Sequence, residues 1–155
     1  MRLYIVIAII YSHLLLSGCA SEPERPMSAP RTTQKSQLID YALSLQGIPY
    51  HYGKDNPDEG FDCSGFVKHV YQHEGVEIPR TVQGMVENLT PVPKNKLHAG
   101  DLVFFNINGD TISHVGIYLN NARFIHAPSQ RTGKVLISNL NSDYWNSRFC
   151  EVRRP

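Results

Sequence analysis

Cys63 lies in the run Glu-Gly-Phe-Asp-Cys-Ser-Gly-Phe-Val, where a polar loop passes into an amphipathic segment. Its neighbours Asp62, Ser64 and Gly65 are poor core formers but common around helix starts. A sulfur at a helix N-terminus meets free backbone N–H groups and the positive end of the dipole. Both favour a thiolate, so the placement predicts a low-pKa nucleophile. Such a nucleophile needs a base within hydrogen-bond reach and a group that orients the base. The chain has seven histidines. His13 falls in the apolar N-terminal run, His51 and His98 in polar connections, and His69 and His73 on the outward side of the predicted helix. These read as bystanders. His114 opens His-Val-Gly-Ile-Tyr-Leu, and His126 closes Arg-Phe-Ile-His-Ala. Each therefore ends a hydrophobic strand segment, around one hairpin, and a Cys63–His114–His126 relay is possible. Spacing alone leaves other readings open: a Cys/His/His zinc site without a closely spaced ligand pair, a Cys63–Cys150 disulfide, or ordinary histidines.

The elements that must position these groups follow from periodicity. Residues 36–46 place Leu38, Ile39, Ala42 and Leu45 on one helical face, with Gly47 as a stop. Pro49 imposes an extended entry through Tyr50. Residues 53–60 read as a turn-rich loop. A helix is predicted from Cys63 to about Glu74, with Phe66, Val67, Val70 and Tyr71 facing a core. Residues 99–127 read as three antiparallel strands, with Asn108-Gly109 and Asn120-Asn121 as turns. Residues 134–140 and 148–154 supply a fourth and a fifth strand. Helices followed by a run of strands is an α+β pattern.

The hairpin imposes a test on the histidines. Opposed residues in a β-hairpin share a face, and successive residues alternate. A two-residue turn at Asn120-Asn121, with Leu119 opposite Ala122, would put His126 opposite Val115 and away from His114. The two rings can meet only if opposed residue numbers add to an even value. That predicts an odd loop or a bulge, with an asparagine at positive φ. Val115, Ile117 and Leu119 would then face the core, while His114, Gly116 and Tyr118 face a cleft side.

The ends of the chain differ from its middle. Arg2 precedes an apolar run that ends in Leu16-Ser17-Gly18-Cys19. The run is short and broken by Ser12 and His13, as in a secretory signal and unlike a membrane span. Its end resembles a bacterial lipobox. That resemblance implies a signal peptide over 1–18, acylation of Cys19 (palmitate included) and a lipid-anchored lipoprotein. Ser21 at the second mature position implies the periplasmic side of the outer membrane over the inner one. Residues 19–35, with Pro23, Pro26 and Pro30, read as a flexible tether. The full chain has 15 basic and 14 acidic residues, so loss of Arg2 leaves the charge near zero. No basic patch argues for nucleic acid. Cys150 sits in an alternating terminal segment and reads as a buried, inert thiol.

The motifs "GIPYHYG", "GFDCSGFVKHVYQHEGVEIPR", "LHAGDLVFF", "SHVGIYLNNARFIHA" and "DYWNSRF" occur in this order. Together they resemble the NlpC-like cell-wall peptidase family, over residues 36–155. The resemblance implies a papain-like α+β domain, with N-terminal helices packed on an antiparallel sheet of about five strands. It implies a cysteine endopeptidase acting on peptide bonds of peptidoglycan, without metal or cofactor. By position, Cys63 matches the nucleophile, His114 the base, His126 the orienting residue, and Tyr50 a tyrosine near the cysteine. Asp62 and Ser64 would brace the loop, a solvated helix cap being the plainer reading of Asp62. Lys54 departs from a common glycine, and the loop before Cys63 is one residue longer than in close relatives, which bears on selectivity. Two rival functions share the motifs: a non-catalytic wall-binding lipoprotein, and a thiol amidase or acyltransferase with a non-murein substrate.

Overall fold

The computed structural model describes residues 31–109 and 111–155. The signal-like run, Cys19 and most of the tether lie outside them. Helix α1 spans Arg31–Ser44, starting five residues before the expected position, so the last part of the tether segment is helical. A two-stranded hairpin, β1 (Asp55–Asn56) and β2 (Gly60–Phe61), replaces the expected loop. Asn56 shapes it by accepting from the Glu59 N–H at 2.9 Å. Helix α2 (Cys63–His73) follows, then α3 (Val82–Asn88) and strand β3 (Thr90–Val92). Strands β4 (Leu102–Phe105), β5 (His114–Asn120), β6 (Arg123–His126) and β7 (Leu136–Asn139) come next. A single turn of helix, α4 (Asp143–Asn146), leads into β8 (Phe149–Arg154).

The main sheet has six strands in the order β3-β8-β4-β5-β6-β7, all antiparallel. The sixth strand, β3, pairs with β8 at one edge. Its Thr-Pro-Val sequence carries a proline, which removes a ladder donor and is tolerated at an edge. That is why its short sequence does not read as a strand.

Apolar side chains cover both faces. On one face α1 and α2 bury Leu38, Ala42, Phe66, Val67 and Val70 against Leu102, Phe104, Val115, Ile117 and Ile125. Burying each large aliphatic or aromatic side chain contributes roughly 1.5–3 kcal/mol. On the other face Val103, Phe105, Phe124, Leu140 and Val152 form a smaller core with Trp145 and Phe149. Val115, Ile117 and Leu119 do face the helices, as the alternation requires. His114 lies on the opposite face, under this second core, and borders the cleft that also holds Cys63.

Two irregularities matter for the site. In the β5–β6 hairpin Ile117 pairs with Ile125 and Tyr118 with Phe124, and the register shifts before Asn120 pairs with Arg123. Leu119 is the extra residue of a bulge, so the even pairing holds along the strand bodies. Asn121 and Ala122 form the turn, with φ of 52° and 59°. Positive φ at both central residues matches the twist of the hairpin, at a steric cost for Ala122. In the β8–β4 pair Phe105 meets Phe149 and Phe104 meets Glu151. Cys150 is left unpaired at that bulge and points to solvent, so the expected buried thiol is exposed.

Candidate active site

Helix α2 starts where the sequence pattern places it. The Asp62 side chain caps it, accepting from the Gly65 N–H at 2.6 Å. Asp62 is no solvated cap. It is buried, accepts from the Gly53 N–H at 2.9 Å, and receives both Arg80 amino groups at 2.9 and 3.0 Å. Arg80 also donates to Ser64 Oγ at 3.0 Å and to the Lys54 carbonyl at 3.3 Å. Asp62 and Ser64 are tied to each other and to the loop through an arginine that sequence reasoning missed. Its signal, a lone Arg after Ile-Pro, is indistinct without the fold. Lys54 lies in the same frame, ion-paired to Glu59.

Cys63 and Cys150 are both free thiols. Cys63 is half-buried, and the backbone N–H groups of Cys63, Ser64 and Val115 face its sulfur. These donors favour a thiolate, but burial and the neighbouring Asp62 carboxylate push the other way and prevail. The thiol is pushed up to about 11, so the expected low-pKa thiol is not what the resting site holds.

His114 opens β5 and is fully buried, and the same burial pulls it down to about 3. Its Nε2 is hydrogen-bonded to His126 Nδ1 at 2.7 Å, which the even hairpin pairing made possible. Gly116 makes room for this contact: a Cβ there would lie 2.7 Å from the Phe124 ring and 3.1 Å from His126 Cβ. His126, also buried and neutral-leaning, is hydrogen-bonded through Nε2 to Ser138 Oγ at 2.9 Å. Trp145 lies over both rings, stacked on His114 with centroids 5.5 Å apart and edge-on to His126 at 4.8 Å. Ser138 and Trp145 were not singled out from sequence. A serine in an edge strand reads as solvent-facing until the register puts it opposite Phe124.

Cys63, Ser64, Asp62, Arg80, His114 and Tyr50 line one cleft of about 660 Å³. The Tyr50 hydroxyl is raised by burial and by the nearby Cys63 and Asp62, and its side chain lines the same cleft as the thiol. Among the described residues no hydrogen bond joins Cys63 to His114, whose Nδ1 is left without a protein partner by the His126 contact. Arrangements of this kind tighten in the substrate complex. Burial disfavours the charged form of both side chains. Elsewhere, His69 is half-buried and bonded to the Tyr41 hydroxyl at 2.8 Å, unlike the exposed His51, His73 and His98. Among the described residues no group of three His, Cys, Asp or Glu side chains is arranged to hold a metal ion.

Known proteins share this arrangement of sequence and fold. The chain is 38% identical over 132 residues to the gamma-DL-glutamyl hydrolase of Bacillus subtilis, covering 84% of this chain and 32% of that protein. It is 36% identical over 136 residues to the murein DD-endopeptidase MepS/murein LD-carboxypeptidase of Escherichia coli, covering 87% of this chain and 70% of that one. The crystal structure of a protein similar to lipoprotein, of the NLP/P60 family, from Staphylococcus aureus superposes with a TM-score of 0.72 at 32% identity. That superposition covers 82% of this chain and 43% of the other. The chain thus spans about a third of the Bacillus hydrolase and less than half of the Staphylococcus protein. The model of the NlpC/P60 family matches residues 47–154, from the Gly47 stop to the end of β8, and the chain belongs to that family.

Proposed function

We propose that this chain is a cell-wall cysteine endopeptidase that hydrolyses peptide bonds in peptidoglycan stem peptides or cross-links. One observation carries the reading: Cys63 at the capped start of α2 shares a cleft with His114, whose far nitrogen is held by His126. Family membership and the murein endopeptidase among its relatives supply the substrate class. As the peptide carbonyl approaches, Cys63 Sγ attacks its carbon, and the thiol proton passes to His114 Nδ1. The backbone N–H groups of Cys63 and Ser64, which precede the first helical hydrogen bond, stabilise the tetrahedral oxyanion. His114 returns the proton to the departing amine, leaving a thioester on Cys63. Water, deprotonated by His114, then cleaves the thioester and restores the thiol. Tyr50, Asp62 and Ser64 border the reacting carbon and shape the cleft.

Digestion of purified murein by wild type and Cys63→Ala, with fragment masses assigned, tests this. Wild type should release new peptide ends, and their identity names the bond. Cys63→Ala should lose at least about a thousandfold in rate. Binding of murein without cleavage would instead support a wall-binding protein, and cleavage by Cys63→Ala would remove the thiol from the mechanism.

We also propose that the domain is held by an acylated Cys19 on the periplasmic side of the outer membrane. Leu16-Ser17-Gly18-Cys19 after an apolar run supports this. Mass spectrometry of the membrane fraction should find an N-terminal peptide beginning at Cys19 and carrying acyl chains. A peptide that begins earlier, or lacks the chains, would overturn it.

A further inference from the structure

The hydrogen-bonded chain from His114 does not end at His126. Ser138, on β7, stands on the same sheet face as Phe124 and His126, and its hydroxyl is the partner of His126 Nε2 at 2.9 Å. Each bond in the chain needs one donor and one acceptor, and a neutral imidazole has one of each. If His114 is to receive a proton on Nδ1, its own proton must sit on Nε2. His114 Nε2–H then donates to His126 Nδ1. His126 Nδ1 must be bare, so its proton sits on Nε2 and requires an acceptor. Ser138 Oγ is the group at hydrogen-bond distance from that atom.

We propose that Ser138 is a positioning residue whose hydroxyl accepts from His126 Nε2–H, favouring the tautomer that leaves His114 Nδ1 free to accept the thiol proton. The inference rests on the reading of Cys63 and His114 as nucleophile and base. A buried N–H without a partner is costly. With the hydroxyl removed, His126 avoids that cost by carrying its proton on Nδ1 instead. It then donates to His114 Nε2, and the His114 proton moves to Nδ1, the atom that has to be empty. The hydroxyl also suits the charged intermediate: imidazolium at His114 is a donor at both nitrogens, and the whole chain then runs toward Ser138 Oγ. The flanking rings of Phe124 and Trp145 offer no competing acceptor.

The test pairs kinetics with nitrogen-15 spectra of histidine-labelled full-length protein, for wild type, Ser138→Ala and Ser138→Thr. Wild type should show His126 protonated on Nε2 and His114 bare on Nδ1. Ser138→Ala should move the His126 proton to Nδ1 and lower kcat on murein peptides about tenfold or more, with KM unchanged. Ser138→Thr, which keeps the hydroxyl, should restore both. A Ser138→Ala protein with the wild-type tautomer, or with wild-type kcat, overturns the proposal. So does a Ser138→Thr protein that behaves like Ser138→Ala. If wild type cleaves no murein, the endopeptidase reading fails, and the spectra still decide whether Ser138 sets the tautomer.

Discussion

Between pH 6.5 and pH 3 the folded domain should lose about 4 kcal/mol of stability through His114 alone. The sign follows from burial. In the unfolded chain His114 takes up a proton at its ordinary 6.5, whereas the folded site resists it down to about 3. Over that window the unfolded state binds more protons, so lowering the pH favours unfolding. The contribution is present above pH 6.5 and lost as pH falls through the folded value. By pH 5 the loss should already be about 2 kcal/mol, before most carboxylates titrate. His126, held neutral by its burial and by His114, adds in the same direction. Cys63 supplies the opposite limb. Its thiol is raised from 9.0 to about 11, so its contribution is present below pH 9 and lost through pH 11. Allowing for its partial exposure, that limb is worth about 2 kcal/mol. Stability should therefore peak between pH 6.5 and pH 9. Urea unfolding of wild type, His114→Gln and Cys63→Ala across pH 4.5–10 measures it. The acid slope between pH 6.5 and 4.5 should shrink in His114→Gln, and the alkaline slope in Cys63→Ala. An equal acid slope in wild type and His114→Gln would show that His114 is not held neutral.

How much of this was legible without coordinates depended on the range of each interaction. Helix α2 was legible because its signals are local: a capping Asp62, an apolar face from Phe66 to Tyr71, and Gly75 past its end. The juxtaposition of His114 and His126 was legible as a condition, because side-chain alternation turns pairing register into a parity rule. The bulge at Leu119 meets that condition. Strand β3 was not legible, since proline silences the usual β signal at an edge. Cys150 was misjudged because alternation assumes an unbroken ladder, and the bulge breaks it at that residue. The low-pKa expectation for Cys63 rests on the helix start and on the matching nucleophile role. Burial is a property of the assembled cleft, and no local pattern reports it. Ser138, Trp145 and Arg80 come from segments distant in sequence and meet the site only through the sheet and the α2–α3 connection. They illustrate why nucleophile and base can be read from short motifs while their supporting groups cannot.

Asp62→Ala should cost about 3 kcal/mol and lower the melting temperature by about 10 °C. The carboxylate satisfies two backbone donors, from Gly53 and Gly65, and both amino groups of Arg80. Loss of the helix cap alone costs about 1 kcal/mol. Removing the anion also leaves the Arg80 guanidinium, two-thirds shielded, with the Asp55 carboxylate 3.4 Å from its Nε as its remaining ion pair, facing the start of a helix whose dipole repels it. A buried pair broken on one side costs about 3–5 kcal/mol. Arg80 can turn partly to water, so the lower end applies. Asp62→Asn keeps an acceptor for the cap but weakens the pairing with Arg80, and should cost about half as much. Arg80→Ala leaves the carboxylate with its two N–H partners and should cost less than Asp62→Ala. The double variant should be more stable than the sum of the single losses implies, by about 1 kcal/mol or more, because the two side chains share one network. Activity should fall further than the folded fraction does, since the same carboxylate sets the position of the residue that follows it, Cys63. Denaturant titration of wild type and the four variants, with kcat measured on the folded fraction, checks each step. If Asp62→Ala costs less than about 1 kcal/mol, or the single effects simply add, then Asp62 is only a surface cap and the Arg80 pairing does not hold the cleft.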